Sequence, residues 1–559
     1  MWKKIRNKKI ALGLALLAAS MTFAPTMTNA ASTSATQSER PAPPEWNGNG
    51  EPPAPPTDEN GNPLPPPGHD GNNTNNNRPA PPNGQSGNGN NENRPAPPDW
   101  DGNGQPPAPP TDENGNPLPP PDHDGNHTNN NRPLPPHGNG GNGQPPQGMQ
   151  GGPSGHGQDA KSADSLSASH ISDGKEETVA GKSFAATKGN ESAVLARNGA
   201  KLSLSGAALQ KRGDTTSEEE SNFAGQNAVL LANNSTVAVS DTTLSSNAEG
   251  ANAIFSTGRK AQVTARRVTI RTGGNSSRGL DATYGGTVTG EAVDIATKGA
   301  HCAALATDRG EGTVSVTGSK LVTEGEGSPC IYSTGDISAT DTVGVAYGSE
   351  IAVVEGKNSI SLDRVDLTGH ERNGVMLYQS FSGDADVGTA KFSAKDSKLT
   401  NESSGAMFYV TNTKAEITLE STALSSPEAQ PLLRAAADRW GQSGKNGGDV
   451  TLTATRQTLN GDITADNLSA VTLNLSEGSQ WTGTMNTEAT AKAATVRLAK
   501  SATWTLSADA HLDTIINEAE DFSNIESNGF SIYYNKDKTP TLNGNTYPLP
   551  GGGTLTPQA

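Results

Sequence analysis

Beyond residue 175 one template keeps returning: an apolar residue at position p, an apolar or small one at p+2, and an apolar one at p+7. Leu202/Leu204/Leu209 fits it, as do Val237/Val239/Leu244, Val263/Ala265/Ile270, Val288/Gly290/Ile295 and Val314/Val316/Leu321. Ile360/Leu362/Leu367, Phe392/Ala394/Leu399 and Ile417/Leu419/Leu424 continue the series. A weaker copy, Ile337/Ala339/Gly344, falls midway between 314 and 360, and Val450/Leu452 begins another. The usual step is 23–26 residues. Alternation with period two inside each unit predicts short strands with one buried face.

Each unit has a further short apolar run about ten residues upstream: Ala193-Val194-Leu195, Ala228-Val229-Leu230, Ala253-Ile254-Phe255, Gly279-Leu280, Cys302-Ala303, Cys330-Ile331, Gly374-Val375 and Ala406-Met407. Three strands per unit, separated by turns, describe one coil of a solenoid. A single coil cannot bury its inner face, and stacked coils about 4.8 Å apart give every strand a neighbour above and below. The expected fold is therefore all-β, a parallel β-helix. Leucine-rich repeats would need a Leu-Asn signature and a helical segment in each unit, and neither is present.

Composition fits a core made of small residues. Aromatic residues are only 4% of the chain, and most of the Pro 39 are concentrated before residue 155. Residues 31–174 read as a disordered, low-complexity arm. The stretch beginning RPAPPEWNGNG at Arg40 returns as RPAPPDWDGNG at Arg94, a period of 54. Proline clusters favour extended polyproline II, Asn-Gly steps break it, and too little apolar surface exists to offset ordering entropy. Asp122 to His127 offers weak metal ligands, and Trp46 and Trp100 offer peptide or glycan contacts, against the default of a solvated spacer.

Residues 1–30 read as an export signal. A basic Trp2–Lys9 stretch precedes an apolar Ile10–Ala19 run and the small-residue site Thr28-Asn29-Ala30. No other stretch is long and apolar enough to span a bilayer. A net charge of −17 argues against nucleic-acid binding and suits a secreted or surface-associated protein.

The coils at 193–424 resemble the right-handed parallel β-helices of the pectin-lyase-like class. LNLSEGSQWTGTMN (Leu473–Asn486) and SATWTLSADAHLDTI (Ser501–Ile515) narrow the resemblance to passenger regions of autotransporter adhesins. It implies coils over 175–475 and a C-terminal cap with tail over 476–559, the last coils nucleating the helix. No membrane barrel follows, so self-export through an outer membrane is not implied.

No catalytic residue, metal or cofactor is expected. Asp363-Arg364-Val365-Asp366 is the best local acid pair, but its acids flank an inward Val365 like an ordinary corner. Asp384 and Asp386 are acids in a Gly-rich turn that could hold Ca²⁺. His301 and His370 lack an evident Asp or Ser partner, and the lyase-like Arg-x-Pro-x-x-Arg pattern is absent. The expected partner is an extracellular polysaccharide or cell-surface glycan, with a polysaccharide-active enzyme and a structural matrix element as the alternatives.

Three inserts interrupt the tight turns: 211–225, 379–388 and 434–449. The latter two fall between the first and second strands of their coils and should emerge from one edge. They offer Phe381, Asp384, Asp386, Arg439 and Trp440, an exposed aromatic set suited to stacking on a sugar, unless Trp440 caps a hydrophobic gap. Arg259, Lys260, Arg266, Arg267 and Arg271 form a basic run, with Arg267, Thr269 and Arg271 placed on one outer strand face by alternation. Such a stripe would hold an anionic polymer unless acids of neighbouring coils pair it. Cys302 and Cys330 occupy one column of adjacent coils in this register, which allows either a disulfide or two buried thiols.

Overall fold

The computed structural model describes residues 162–380 and 382–558. The export signal, the arm repeat, Trp46, Trp100, Asp122 to His127 and Phe381 lie outside the described residues.

The chain winds into a parallel β-solenoid with three principal sheets, each coil giving one strand to each. The first sheet stacks twelve strands from Ser167–Asp173 to Ile463–Ala465. The second stacks fourteen from Glu176–Ala180 to Thr514–Asn517, and the third stacks ten from Ser183–Ala186 to Ala423–Ser425. After Ser425 a new four-stranded sheet takes over the third side, beginning with Thr458–Asn460. Within these four sheets every pairing is parallel and in sequence order, so each strand's hydrogen bonds run to the coil before and the coil after. The first coil already begins inside the segment assigned to the arm, because Ser167–Asp173 pairs with Glu191–Arg197.

The p, p+2, p+7 template is the inward column of this stack. Leu202, Val237, Val263, Val288, Val314, Ile337, Ile360, Phe392 and Ile417 are successive partners in the second sheet. All are buried, as is the third-sheet column that includes Leu209, Leu244, Ile270, Ile295 and Leu321. Each buried Leu, Ile or Val contributes roughly 1.5–3 kcal/mol, so repetition builds a core despite few aromatics. The next unit is in a different phase from the sequence expectation: Ile417 pairs with Leu452, and Val450 pairs with Ala415. The strand there is longer, Asp449–Thr455, so one more inward residue precedes the template position.

The corner between the second and third sheets has its own chemistry. Asp241, Arg267, Asp341, Arg364 and Asp396 all take left-handed backbone angles there, with φ between 47° and 51°, while Gly206 and Gly318 occupy the same step in other coils. Just past the bend an inner ladder satisfies the backbone. Val293 N–H donates to Ser319 Oγ, Ser319 N–H to Thr342 Oγ1, and Val365 N–H to Ser397 Oγ, at 3.1–3.3 Å. Buried N–H groups at a sharp turn need such acceptors. Near the C-terminal end Trp481 and Trp504 pair in register, their rings stacked 4.8 Å apart. Their indole N–H groups donate to Gly461 and Gly483 carbonyls.

Candidate functional site

The inserts decide which face of the solenoid is covered. In 211–225 the helix Glu218–Ala224 is capped by Ser217, whose Oγ accepts Glu220 N–H at 3.2 Å, and opens with three glutamates that complement its dipole. Gly225 ends it at φ 73°, where a Cβ would also lie 2.5 Å from the Phe255 ring. At its base Lys211 is buried, donating to the carbonyls of Lys188, Arg212 and Gly213, and burial pulls its ammonium down to about 8.

The helix lies across the outer face of the first sheet. Ser276 Oγ donates to Glu218 at 2.7 Å, Arg278 donates to Asn222 Oδ1 at 2.8 Å, and Thr283 Oγ1 donates to the Phe223 carbonyl at 2.9 Å. Arg309 sits 3.8 Å over the Phe223 ring and reaches Glu219 at 3.4 Å. The same guanidinium binds Asp384 of insert 379–388 at 2.9 Å, so two inserts distant in sequence meet on one arginine. As a result, Leu230–Asn233, Ile254–Thr257 and Leu280–Thr283 are buried on both faces.

Beneath this cover is a charged cluster. Asp281 is wholly buried in the column of Phe255 and Ala306. Arg278 approaches Asp281 at 3.6 Å and Asp308 at 3.1 Å, one cation against two carboxylates. Neither carboxylate oxygen of Asp281 has a hydrogen-bond partner within the protein. Burial pushes Asp281 up to about 6 despite Arg278, and lifts Asp308 well above the usual carboxylate range. Two coils on, Glu355 accepts from Tyr332 Oη at 2.5 Å, from Tyr378 Oη at 2.9 Å and from Ser380 Oγ, and burial raises its pKa too.

Asp384 and Asp386 are therefore not open Ca²⁺ ligands. Asp384 is held by Arg309, and Asp386 lies 3.2 Å from Lys357, which also reaches Glu311 at 3.0 Å. No group of three or more His, Cys, Asp or Glu side chains is poised around a metal position among the described residues.

The 379–388 and 434–449 inserts do lie between the first and second sheets, following Val375–Tyr378 and Leu433–Ala435. Trp440 is not exposed as expected. Trp440 is only 7% exposed and packs on the first sheet with Val353, Met376, Tyr378, Tyr409 and Ala436. Its ring lies 5.2 Å from that of Tyr378, with Arg439 4.8 Å above it. Apolar outward residues in successive coils leave a surface that the insert must cover, and Trp440 covers it.

The basic stripe is likewise corrected. Arg267 is not on a strand face: it occupies the left-handed corner at φ 51°, which resets the alternation, and its guanidinium binds Asp241 at 2.7 Å. Arg271 does point outward from Thr269–Thr272, but it binds Asp294 at 2.7 Å, and Arg266 binds Glu291 at 2.6 Å. Acids of the coils above and below thus pair three of the run's five basic residues, Arg266, Arg267 and Arg271. Arg271 also lines an open depression of about 330 Å³ with Lys211, Arg212 and Lys298. Asp363, Arg364 and Asp366 form an ordinary corner, with Arg364 on Asp341 and Asp366 on Lys398. His370 pairs with Glu402 at 3.0 Å and stacks on Tyr347.

Cys302 and Cys330 are both buried free thiols, and they do not share a column. Leu305 pairs with Ile331, which aligns Cys330 with Ala304, two residues from Cys302. Cys302 instead takes a serine's place in a corner ladder. Ala251 N–H donates to Ser277 Oγ, Ser277 N–H to Cys302 Sγ, and Cys302 N–H to Ser328 Oγ. Burial pushes the two thiols up to about 11 and about 12.

Arg278, Asp281, Asp308, Arg309 and Glu355 are not evident from the sequence because they are divided among three coils, Arg278/Asp281, Asp308/Arg309 and Glu355, and no one segment shows a charged cluster. The available signal was Asp281 and Glu355 standing inside short strands whose neighbouring coils carry apolar or hydroxyl residues. No helix among the described residues is long and apolar enough to cross a membrane. No family model, curated protein or solved structure matches this chain.

Proposed function

We propose that the protein is a secreted or surface-associated, non-enzymatic β-solenoid that binds extracellular polysaccharide or cell-surface glycan, held out by its Pro/Asn/Gly arm. The observation that carries this reading is the state of the carboxylates. Asp281, Asp308 and Glu355 are buried under an insert, and Asp384 is tied to Arg309. General acid–base work needs a carboxyl within reach of a substrate proton, which a sealed face does not offer. Two long sheets remain open for contact with an extended polymer, and loops on a rigid scaffold supply specificity. The stacked Trp481 and Trp504 support kinship with passenger-like coils of the right-handed, pectin-lyase-like type.

A second reading, a polysaccharide lyase or glycosidase, is favoured by one observation: three carboxylates lie on the outer face of a single sheet. A glycan-array screen of the full chain, run beside a depolymerisation assay on polyuronates and neutral glucans, separates the two. Glycan capture without chain cleavage is expected; cleavage that disappears in Asp308→Asn would establish the enzyme instead.

A further inference from the structure

The outer face of the third sheet carries two columns that follow from its pairing. Strand residues Gln210, Ser245, Arg271, Ala296, Val322 and Val345 succeed one another outward, coil by coil. The residue just past each of those strands makes a parallel corner column: Arg212, Asn247, Gly273, Lys298, Glu324 and Tyr347. Each step along the track is about 4.8 Å. The open depression of about 330 Å³ lies at its beginning. Ser245, Gly273 and Ala296 are small and make the hollow, while Arg212 and Lys298 stand at its two ends in the corner column.

Four cations and no acid line this hollow, in a chain of net charge −17. Three of the four are already engaged. Arg271 binds Asp294 at 2.7 Å, Lys298 lies 3.7 Å from Glu324, and the Lys211 ammonium is turned to backbone carbonyls, with Glu191 and Asp214 also acting on it. Arg212 is exposed and makes no ion pair among the described residues. The exposed side-chain amides of Gln210 and Asn247 have no hydrogen-bond partner among them either. The rim therefore offers one uncommitted guanidinium beside two amides that both donate and accept. A guanidinium takes a carboxylate through two parallel N–H···O bonds, and an amide suits the hydroxyls of a sugar ring.

Past Lys298 the track changes character. Lys298 and Glu324 offset one another, and Val322, Val345 and Tyr347 carry no charge. Tyr347 is 51% exposed, and its ring is backed by His370 at 5.0 Å, which Glu402 holds at 3.0 Å. An anionic substituent here would find no uncommitted cation, whereas the body of an uncharged sugar would find aliphatic and aromatic surface.

We propose that this track binds an acidic glycan whose carboxylates are separated by neutral sugars, Arg212 holding one carboxylate and the surface of Val345 and Tyr347 taking a neutral unit. This rests on the glycan-binding reading above, to which it adds a place and a spacing of charge.

The test is calorimetric titration of the full chain at low salt with four probes. They are a hexasaccharide of alternating glucuronate and N-acetylglucosamine, hexagalacturonate, the neutral hexamer of N-acetylglucosamine, and hexaglutamate. The alternating hexasaccharide should bind most tightly. Arg212→Gln should weaken it about tenfold, the loss of one charged hydrogen-bonded contact, while Arg267→Ser, on another corner, should leave it unchanged. Equal affinity in Arg212→Gln, or an equal loss in Arg267→Ser, would overturn the site. Tighter binding of hexagalacturonate or of the neutral hexamer would overturn the spacing of charge, and equal binding of hexaglutamate would reduce the track to a surface for any polyanion. Glycan-array binding that persists in Arg212→Gln leaves the broader reading standing without this site, whereas an array with no binding removes both.

Discussion

The second sheet and the first sheet are built from the same coils, yet they present opposite outer faces. Outward residues of the second sheet, such as Thr264, Thr289, Ser361 and Thr418, are exposed, and their neighbours interact across coils, as Ser338 Oγ does with Ser315 Oγ at 2.9 Å. Charges beside them pair in solvent, where an ion pair contributes little. Outward residues of the first sheet, such as Phe255, Asp281 and Tyr409, are buried beneath inserts. There a charge loses its hydration and depends wholly on its partner. Exposure in this solenoid is set by the loops between strands, not by the strand geometry.

The sharpest way to break the comparison is to remove one cation from each face. Arg278→Leu leaves Asp281 and Asp308 buried without a counter-ion and should cost about 3–5 kcal/mol in a urea unfolding series. If that loss is absent, the face is wetter than its burial indicates.

The pH response separates the faces by sign. Asp281, lifted by burial to about 6 from an ordinary value near ~3.9, favours the folded state most when it is protonated. Its contribution is fully present below about pH 4 and is lost as pH rises through about 6. Asp241, on the open side, is held below its usual range by the hydrogen bond from Arg267, so its contribution appears above that range and is lost as pH falls. Unfolding midpoints between pH 4 and 7 should slope downward in the wild type and flatten in Asp281→Asn. An unchanged slope in the variant would transfer the effect to Asp308 or Glu355.

Smaller effects belong to the ladder and the corner. Cys302→Ser restores the residue found one coil before and one coil after, and should change stability by no more than about 1 kcal/mol. Non-reducing denaturation should expose both thiols to labelling; a single missing thiol pair would contradict their free state. Smallest of all, Arg267→Ser on the open face should leave the unfolding midpoint where it is.

The same contrast governs what could be read from the sequence. In the second and third sheets one face is buried, so the alternation at Leu202/Leu204 fixes the column, and even the faint Ile337/Ala339/Gly344 copy lies in register with Ile360/Leu362/Leu367. In the first sheet, from Leu230–Asn233 to Phe408–Thr411, both faces are largely buried, alternation vanishes, and register loses its signal. Ala253-Ile254, Cys330-Ile331 and Gly374-Val375 align as written, but Val194 pairs with Leu230, where the sequence reading aligned it with Val229. Cys302-Ala303 stands two residues away from its place, which undid the cysteine column. Arg267 was misplaced because alternation was carried across a left-handed corner. The candidate site was least legible, because Trp440 and Asp384 showed as residue types while their partners Tyr378 and Arg309 lie in other coils.

The strap formed by Glu218–Ala224 has a mechanical consequence. Strand hydrogen bonds here run from coil to coil, so tension applied to the chain ends would peel terminal coils one after another. A coil of about 25 residues releases roughly 85 Å of contour length. The strap breaks that regularity, because it is fastened to Asn252, Ser276, Arg278, Thr283 and Arg309 in successive coils. None of those coils can leave while the helix holds the next. Under load they would yield together, as one long extension among short ones, and the segment that hides the acidic face would also be the place where the solenoid resists being pulled apart.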